Sequence, residues 1–191
     1  MKVYIIRHGE SETNVQKKWT GWLDVSLTEK GILDAKRAGK ILSNIVFDKV
    51  YTSDLKRAVQ TAKTALPDYE IETNSLLREI DVGNFAGQPL SNVLSFSDEE
   101  KNNYNTTAFK AFGGESLQDF SLRIKAFKEI LEKSDYKTVA IFSHGGWQMS
   151  MLDSILGFYF NRKTVFFGNC AVMEVEYNGE FWRLVGLTNL D

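Results

Sequence analysis

VYIIRHGESETN, residues 3–14, opens with four apolar residues, three of them β-branched, and turns polar at once at Arg7, His8 and Gly9. A short apolar run with so abrupt an end reads as a strand buried on both faces. Its polar residues then sit just past the C-terminal end of the strand, where open α/β sheets form their ligand crevices. The pattern recurs near the other end of the chain. Thr138–Phe142 is a second apolar strand, followed by Ser143, His144 and Gly145 and by a helix from about Gly146 to Leu156.

Strand and helix signals alternate between these two stretches. Thr28 with Glu29 marks a helix start, and Leu33, Ala35, Ala38, Ile41 and Leu42 give it a periodic apolar face through Ser43. Val46–Thr52 reads as a strand that stops at Ser53 and Asp54, either of which can cap the helix carrying Arg57, Thr61 and Ala65, and Pro67 ends that helix. Glu70–Val82 reads as extended. Glu115–Lys133 is an amphipathic helix with Leu117, Phe120, Ile124, Phe127, Ile130 and Leu131 on its apolar side. Cys170–Tyr177 and Phe181–Leu187, separated by Asn178 and Gly179, carry a hairpin signal. The alternation predicts an α/β fold, and no repeat, low-complexity tract or linker divides residues 1–191, so one domain is expected.

Residues 85–114 break the rhythm with Gly87, Pro89 and the acidic run Asp98, Glu99, Glu100. An insertion of that length with weak periodicity fits a lid or binding loop. Its aromatics, Phe96, Tyr104, Phe109 and Phe112, either face a ligand or pin the insertion to the core, and both readings stand.

Composition narrows the function. The 23 basic and 25 acidic residues are interspersed and leave a formal charge of −2, unlike the basic footprint of a nucleic-acid binder. Only four apolar residues separate Lys2 from Arg7, far fewer than a signal-peptide core or a membrane span needs, so a cytoplasmic location and no membrane partner are expected. A single cysteine, Cys170, excludes an internal disulfide, and two histidines with one cysteine leave little for a zinc site. No metal or cofactor is expected.

Both histidines stand immediately after a strand and before a glycine, which lets backbone N–H groups approach a ligand. One histidine so placed is more often a structural hydrogen-bonder; two, with none elsewhere, point to a shared site. Arg7 precedes His8, and Arg57 lies one turn into the helix after the next strand. Guanidinium groups bind phosphate oxygens in pairs and keep their charge, so two of them converging with two imidazoles describe an anion pocket. From spacing alone, a solvated Arg57 on its helix is an equal alternative.

RHGESETN, residues 7–14, resembles the signature of the histidine phosphatase superfamily, also called phosphoglycerate mutase-like. The likeness continues in order along the chain. It takes in Thr20 and Gly21 in KWTGWLDVSLTEKG, then Ser53, Asp54, Leu55 and Arg57 with Thr61 and Ala62. It extends to Leu77, Arg78, Glu79 and Gly83, to Gly113–Ser116, and to Ser143, His144 and Gly145. The resemblance implies a three-layer αβα fold with a mostly parallel sheet. It implies a phosphohydrolase needing no metal, in which His8 attacks phosphorus and forms a phosphohistidine. Arg7, Arg57 and a protonated His144 would neutralise the phosphoryl oxygens, with Asn14, Thr20, Gly21 and the amide of Gly145 completing the phosphate pocket. Glu79 would donate the proton to the leaving alkoxide. Spacing does not separate Glu79 from Asp81, because residues two apart on an extended segment share a face; the family pattern favours Glu79, and pairing of that carboxylate with Arg78 is the bland alternative. Ala86, where the family usually has glutamate, and Asp34, where it often has glutamine, depart from the pattern without removing a reacting group.

The expected substrate is a small phosphorylated metabolite, handled by a monomer or homodimer. A bisphosphoglycerate-dependent mutase is the alternative, disfavoured because Lys101 and Lys110 are the only cations between Phe85 and Phe112. A binding module without chemistry is a third reading, which an intact nucleophile and proton donor argue against.

Overall fold

The computed structural model describes residues 1–91, 109–157 and 165–190. Among these, six strands form one sheet: β1 (Lys2–Arg7), β2 (Lys49–Thr52), β3 (Ile71–Thr73), β4 (Thr138–Ser143), β5 (Val172–Tyr177) and β6 (Trp182–Thr188), in the spatial order β3-β2-β4-β1-β5-β6. The first four of that order are parallel, whereas β5 runs antiparallel to β1 and β6 antiparallel to β5. The helices are α1 (Glu12–Val15), α2 (Glu29–Leu42), α3 (Lys56–Ala65), α4 (Leu117–Glu132) and α5 (Gly145–Leu156).

Alternation along the strands makes the layers. Val3 and Ile5 of β1, with Val139 and Ile141 of β4, pack against Phe120, Ile124, Phe127 and Leu131 of α4. Ile6, Ala140 and Phe142 point the opposite way, into a second core with Ala35, Ala38 and Leu42 of α2 and Ala62 and Ala65 of α3. A sheet covered on both faces has no use for polar alternation, hence the continuous apolar runs. The result is the three-layer αβα architecture with a mostly parallel sheet. Its register matters for chemistry: Arg7 is the partner of Ser143 across β1 and β4. His8 and His144 therefore leave the sheet side by side.

Several local expectations are corrected. β2 starts at Lys49, and Val46 is 82% exposed. Neither Ser53 nor Asp54 is the N-cap of α3; that position is Leu55, and the first-turn amide of Lys56 donates to Asp24 Oδ1 at 2.6 Å, a carboxylate from a distant loop. Leu33 and Ile41 are exposed, and α2 instead buries Asp34, which Lys30 and Arg37 neutralise from the flanking turns. Ile130 of α4 is likewise exposed. Of Glu70–Val82, only Ile71–Thr73 is a strand; Asn74 Oδ1 then accepts the Leu76 amide and starts a 3₁₀ turn at Ser75–Leu77. At the hairpin, Tyr177 pairs with Trp182, so the turn spans Asn178–Phe181.

The flanks of the insertion are anchored to the core. Phe109 is buried, and its ring meets Trp19 at 5.4 Å and Phe85 at 6.0 Å edge-on, while Phe112 lies 4.5 Å from Phe85. For Phe109 and Phe112 the pinning role holds; Phe96, Tyr104, Lys101 and the acidic run lie outside the described residues. Among the described residues, no helix is long and apolar enough to cross a membrane.

Phe127 tests this account of the core, since it has no exposed surface and packs edge-on against Tyr51 and Trp147. Phe127→Ala should cost about 3–5 kcal/mol, seen as a lower urea midpoint at unchanged slope.

Candidate active site

His8 and His144, one from the end of β1 and the other from the end of β4, have ring centroids 5.2 Å apart at an interplanar angle of 62°. Both rings are buried. His8 Nδ1 lies 2.7 Å from Gly9 O, and its Nε2 accepts a hydrogen bond from Arg57 Nε at 3.2 Å. A carbonyl on one side and a guanidinium N–H on the other require Nδ1 to carry the proton and leave the lone pair on Nε2. Burial first, then the charges of Arg57 and Arg7, hold the His8 pKa well below 6.5, so the ring is neutral at pH 7.

Arg57 has no exposed surface, which settles the alternative of a solvated helix residue. Besides His8, it donates through Nη1 to Leu23 O at 2.8 Å and through Nη2 to Gly21 O at 2.9 Å. Burial brings its pKa down to about 10, which still leaves it charged at pH 7. Arg7 donates through Nη1 to Phe167 O at 2.6 Å, while its Nε is buried without a partner. His144 Nε2 meets Ser53 Oγ at 2.9 Å, and its Nδ1 is also unpartnered. Burial first, then the charge of Arg57, hold the His144 pKa well below 6.5.

The two carboxylates that spacing left tied go to different places. Glu79 lines a cavity of about 220 Å³ together with Arg7, His8, Arg57, Asn14, Thr20 and Gly21. Asp81 Oδ1 accepts the Gly83 amide at 2.9 Å and lies outside the lining of that cavity. Nor does Arg78 take Glu79; it forms a two-point pair with Asp54 and stacks 4.6 Å above the Trp22 ring.

Glu79 is held from several sides. Its Oε2 accepts the Gly146 amide at 3.0 Å, at the positive N-terminal end of α5. A side chain at Gly146 would collide with Glu79 Oε1 and require that carboxylate to move. The Glu79 carbonyl accepts from Trp22 Nε1 at 2.8 Å and from Arg123 Nη2 at 3.1 Å. Arg123 also donates to Leu76 O and Arg78 O and is paired in turn with Glu115.

Of the remaining expected residues, Asn14 spends its amide oxygen on the Ser11 amide and on Asn169 Nδ2, which turns its NH₂ to the cavity. Thr20 Oγ1 is bonded to Thr13 Oγ1 at 2.6 Å, and Gly21 adopts φ +48, presenting its carbonyl to Arg57. Gly145 does not line this cavity; it borders an adjoining one of about 330 Å³ with Arg7, Glu79 and the apolar Met149, Val165 and Phe167. Asn169, Ser53, Gly146 and Arg123 support the site without having been expected to. Of these only Gly146 carried a visible signal, as the second of two consecutive glycines after a strand end. Among the described residues, no group of three His, Cys, Asp or Glu could hold a metal ion.

Residues 3–190 match the model of the histidine phosphatase superfamily (branch 1). A 2,3-bisphosphoglycerate-dependent phosphoglycerate mutase of Methylocella silvestris is 35% identical over 153 residues, covering 74% of each chain. Another such mutase, from Elusimicrobium minutum, is 48% identical over 73 residues, a match spanning 37% of this chain and only 29% of that relative. Among solved structures, the alpha-ribazole phosphatase of Shigella flexneri superposes with a TM-score of 0.86 at 25% identity, over 99% of this chain and 96% of that one. With its two histidines meeting at the ends of adjacent parallel strands, the chain belongs to the histidine phosphatase superfamily.

Proposed function

We propose that the protein is a metal-independent phosphatase that hydrolyses phosphomonoesters of small metabolites through a phosphohistidine on His8. The observation that carries this reading is the state of His8: a neutral ring whose proton is held by Gly9 O and whose Nε2 faces a guanidinium in a shared cavity.

In the first step Nε2 attacks phosphorus, the N–P bond forms and the ester P–O bond breaks. The leaving alkoxide takes a proton from Glu79. In the second, Glu79 removes a proton from water, which attacks the phosphohistidine and releases phosphate, so nucleophilic catalysis divides one displacement into two easier ones. Arg7 and Arg57 neutralise the phosphoryl oxygens throughout. A phosphate dianion beside His144 would oppose the depression of its pKa and draw a proton onto the ring. The Asn14 side-chain amide supplies a further hydrogen bond from the cavity wall.

Transfer back to substrate, as in a mutase, is the second reading, favoured by the names of the sequence relatives. Hydrolysis is preferred because Lys110, the cation of the insertion among the described residues, is already paired with Asp119 at 2.9 Å.

The deciding assay is hydrolysis of p-nitrophenyl phosphate with EDTA present. Turnover should persist in chelator and fall at least about 10³-fold in His8→Ala, with circular dichroism reporting a retained fold; normal turnover in that variant would refute the nucleophile. Glu79→Gln should slow alkyl phosphates by about 10²-fold or more and aryl phosphates, whose leaving groups need less help, much less. Equal losses on both would remove Glu79 as proton donor. Because the His8 pKa is lowered, the nucleophile stays unprotonated as pH falls through 6.5. Once the ester's own ionisation is allowed for, kcat/KM should therefore hold between pH 7 and about 6; an acid limb at the ordinary histidine value would contradict the described environment.

A further inference from the structure

The cavity contains a cation that the proposed chemistry does not use. Lys18 lines it together with Arg7, His8, Arg57 and Glu79. Arg7 and Arg57 both donate to protein acceptors, whereas the Lys18 ammonium has no hydrogen bond or ion pair among the described residues.

The main chain under Lys18 is fixed. Its amide donates to Thr13 O at 3.0 Å, and it bridges Pro89, whose neighbour Leu90 lines the cavity, flanked by bonds from Trp19 N to Gln88 O and from Leu90 N to Lys17 O. Next to it, the Trp19 indole, which lines the same cavity, has a buried N–H without a partner. A cation on a fixed stretch of chain, beside a second unmet donor, is a wall made for an anion.

We infer that Lys18 determines specificity by binding a carboxylate carried on the leaving group of the phosphomonoester. This rests on the phosphatase reading above and adds the substrate class. Arg7 and Arg57 are assigned to the phosphoryl group, so Lys18 is the cation left for a second anion. A carboxylate carries one charge and is smaller than a phosphate, which matches a single ammonium with the Trp19 N–H as a further donor. Size agrees, because about 220 Å³ lies below the roughly 300–1,000 Å³ of pockets for drug-sized ligands. A phosphoryl group with a leaving group of a few heavy atoms fits that space.

The test uses matched ligands that differ in the carboxylate: O-phosphoserine against O-phosphoethanolamine, and 3-phosphoglycerate against glycerol 3-phosphate. Each is titrated calorimetrically into His8→Ala, which cannot turn it over, and into His8→Ala with Lys18→Met. A charge-assisted hydrogen bond should make the carboxylate member of each pair bind about ten- to a hundredfold tighter. That ratio should collapse to about one in the Lys18→Met background. Equal affinity within the pairs, or a preference that survives Lys18→Met, overturns the inference. Orthophosphate is titrated alongside. If it binds while the pairs are not discriminated, Lys18 alone is misassigned; if it does not bind, the phosphate-site reading falls and this inference with it. Competitive inhibition constants against p-nitrophenyl phosphate, with and without Lys18→Met on the unsubstituted chain, give the same ratio should the His8→Ala variant not fold.

Discussion

The site depends on a guanidinium with no exposed surface. Taking a charge out of water costs several kcal/mol, so Arg57 can stay buried only if its N–H groups find acceptors. Those found are His8 Nε2, Leu23 O and Gly21 O. These bonds tie α3 to the loop after α1 and to the end of β1. The same group donates to His8 Nε2, lowers the pKa of that ring and, in the proposed reaction, would supply charge for a phosphoryl oxygen. Structure and chemistry here share one side chain.

A second cation, half-buried, does for Glu79 what Arg57 does for His8. Arg123, on α4, collects the carbonyls of Leu76, Arg78 and Glu79 and is balanced by Glu115. That segment is irregular, with only a 3₁₀ turn to satisfy its backbone. Buried carbonyls need donors, and Arg123 provides several at once, so the Glu79 main chain is fixed from the far side of the cavity. The Gly146 amide then fixes its carboxylate. Glu79 thus projects into the cavity from a loop that would otherwise lack a reason to hold one shape.

Local signals failed where tertiary contacts replaced them. Ser53 and Asp54 are good capping residues by type, yet the α3 amide is served by Asp24, while Asp54 binds Arg78 and Ser53 binds His144. Asp34 broke the apolar rhythm of α2 and led the periodicity towards Leu33 and Ile41, whereas neutralisation by Lys30 and Arg37 allows Asp34 to face inwards. Lys18 and Trp19 drew no expectation of their own from the sequence. Only the pairing of that loop with residues 87–90 makes them a wall of the cavity.

By itself the sequence determined the layer architecture, because continuous apolar runs of strand length alternating with amphipathic helices can be buried in few other ways. It also marked His8 and His144, through the abrupt change from apolar to polar at two strand ends, whereas Arg57 stood level with a solvated helix residue until its burial was seen. What it could not decide was which carboxylate enters the site, since Glu79 and Asp81 are equivalent on an extended segment. Tertiary structure separated them, because the segment is not extended and α5 offers its first-turn amide to Glu79 alone. It likewise set the direction in which the histidine pKa values move, because burial and the approach of charges from other elements are properties of the folded chain and leave no trace in residue order.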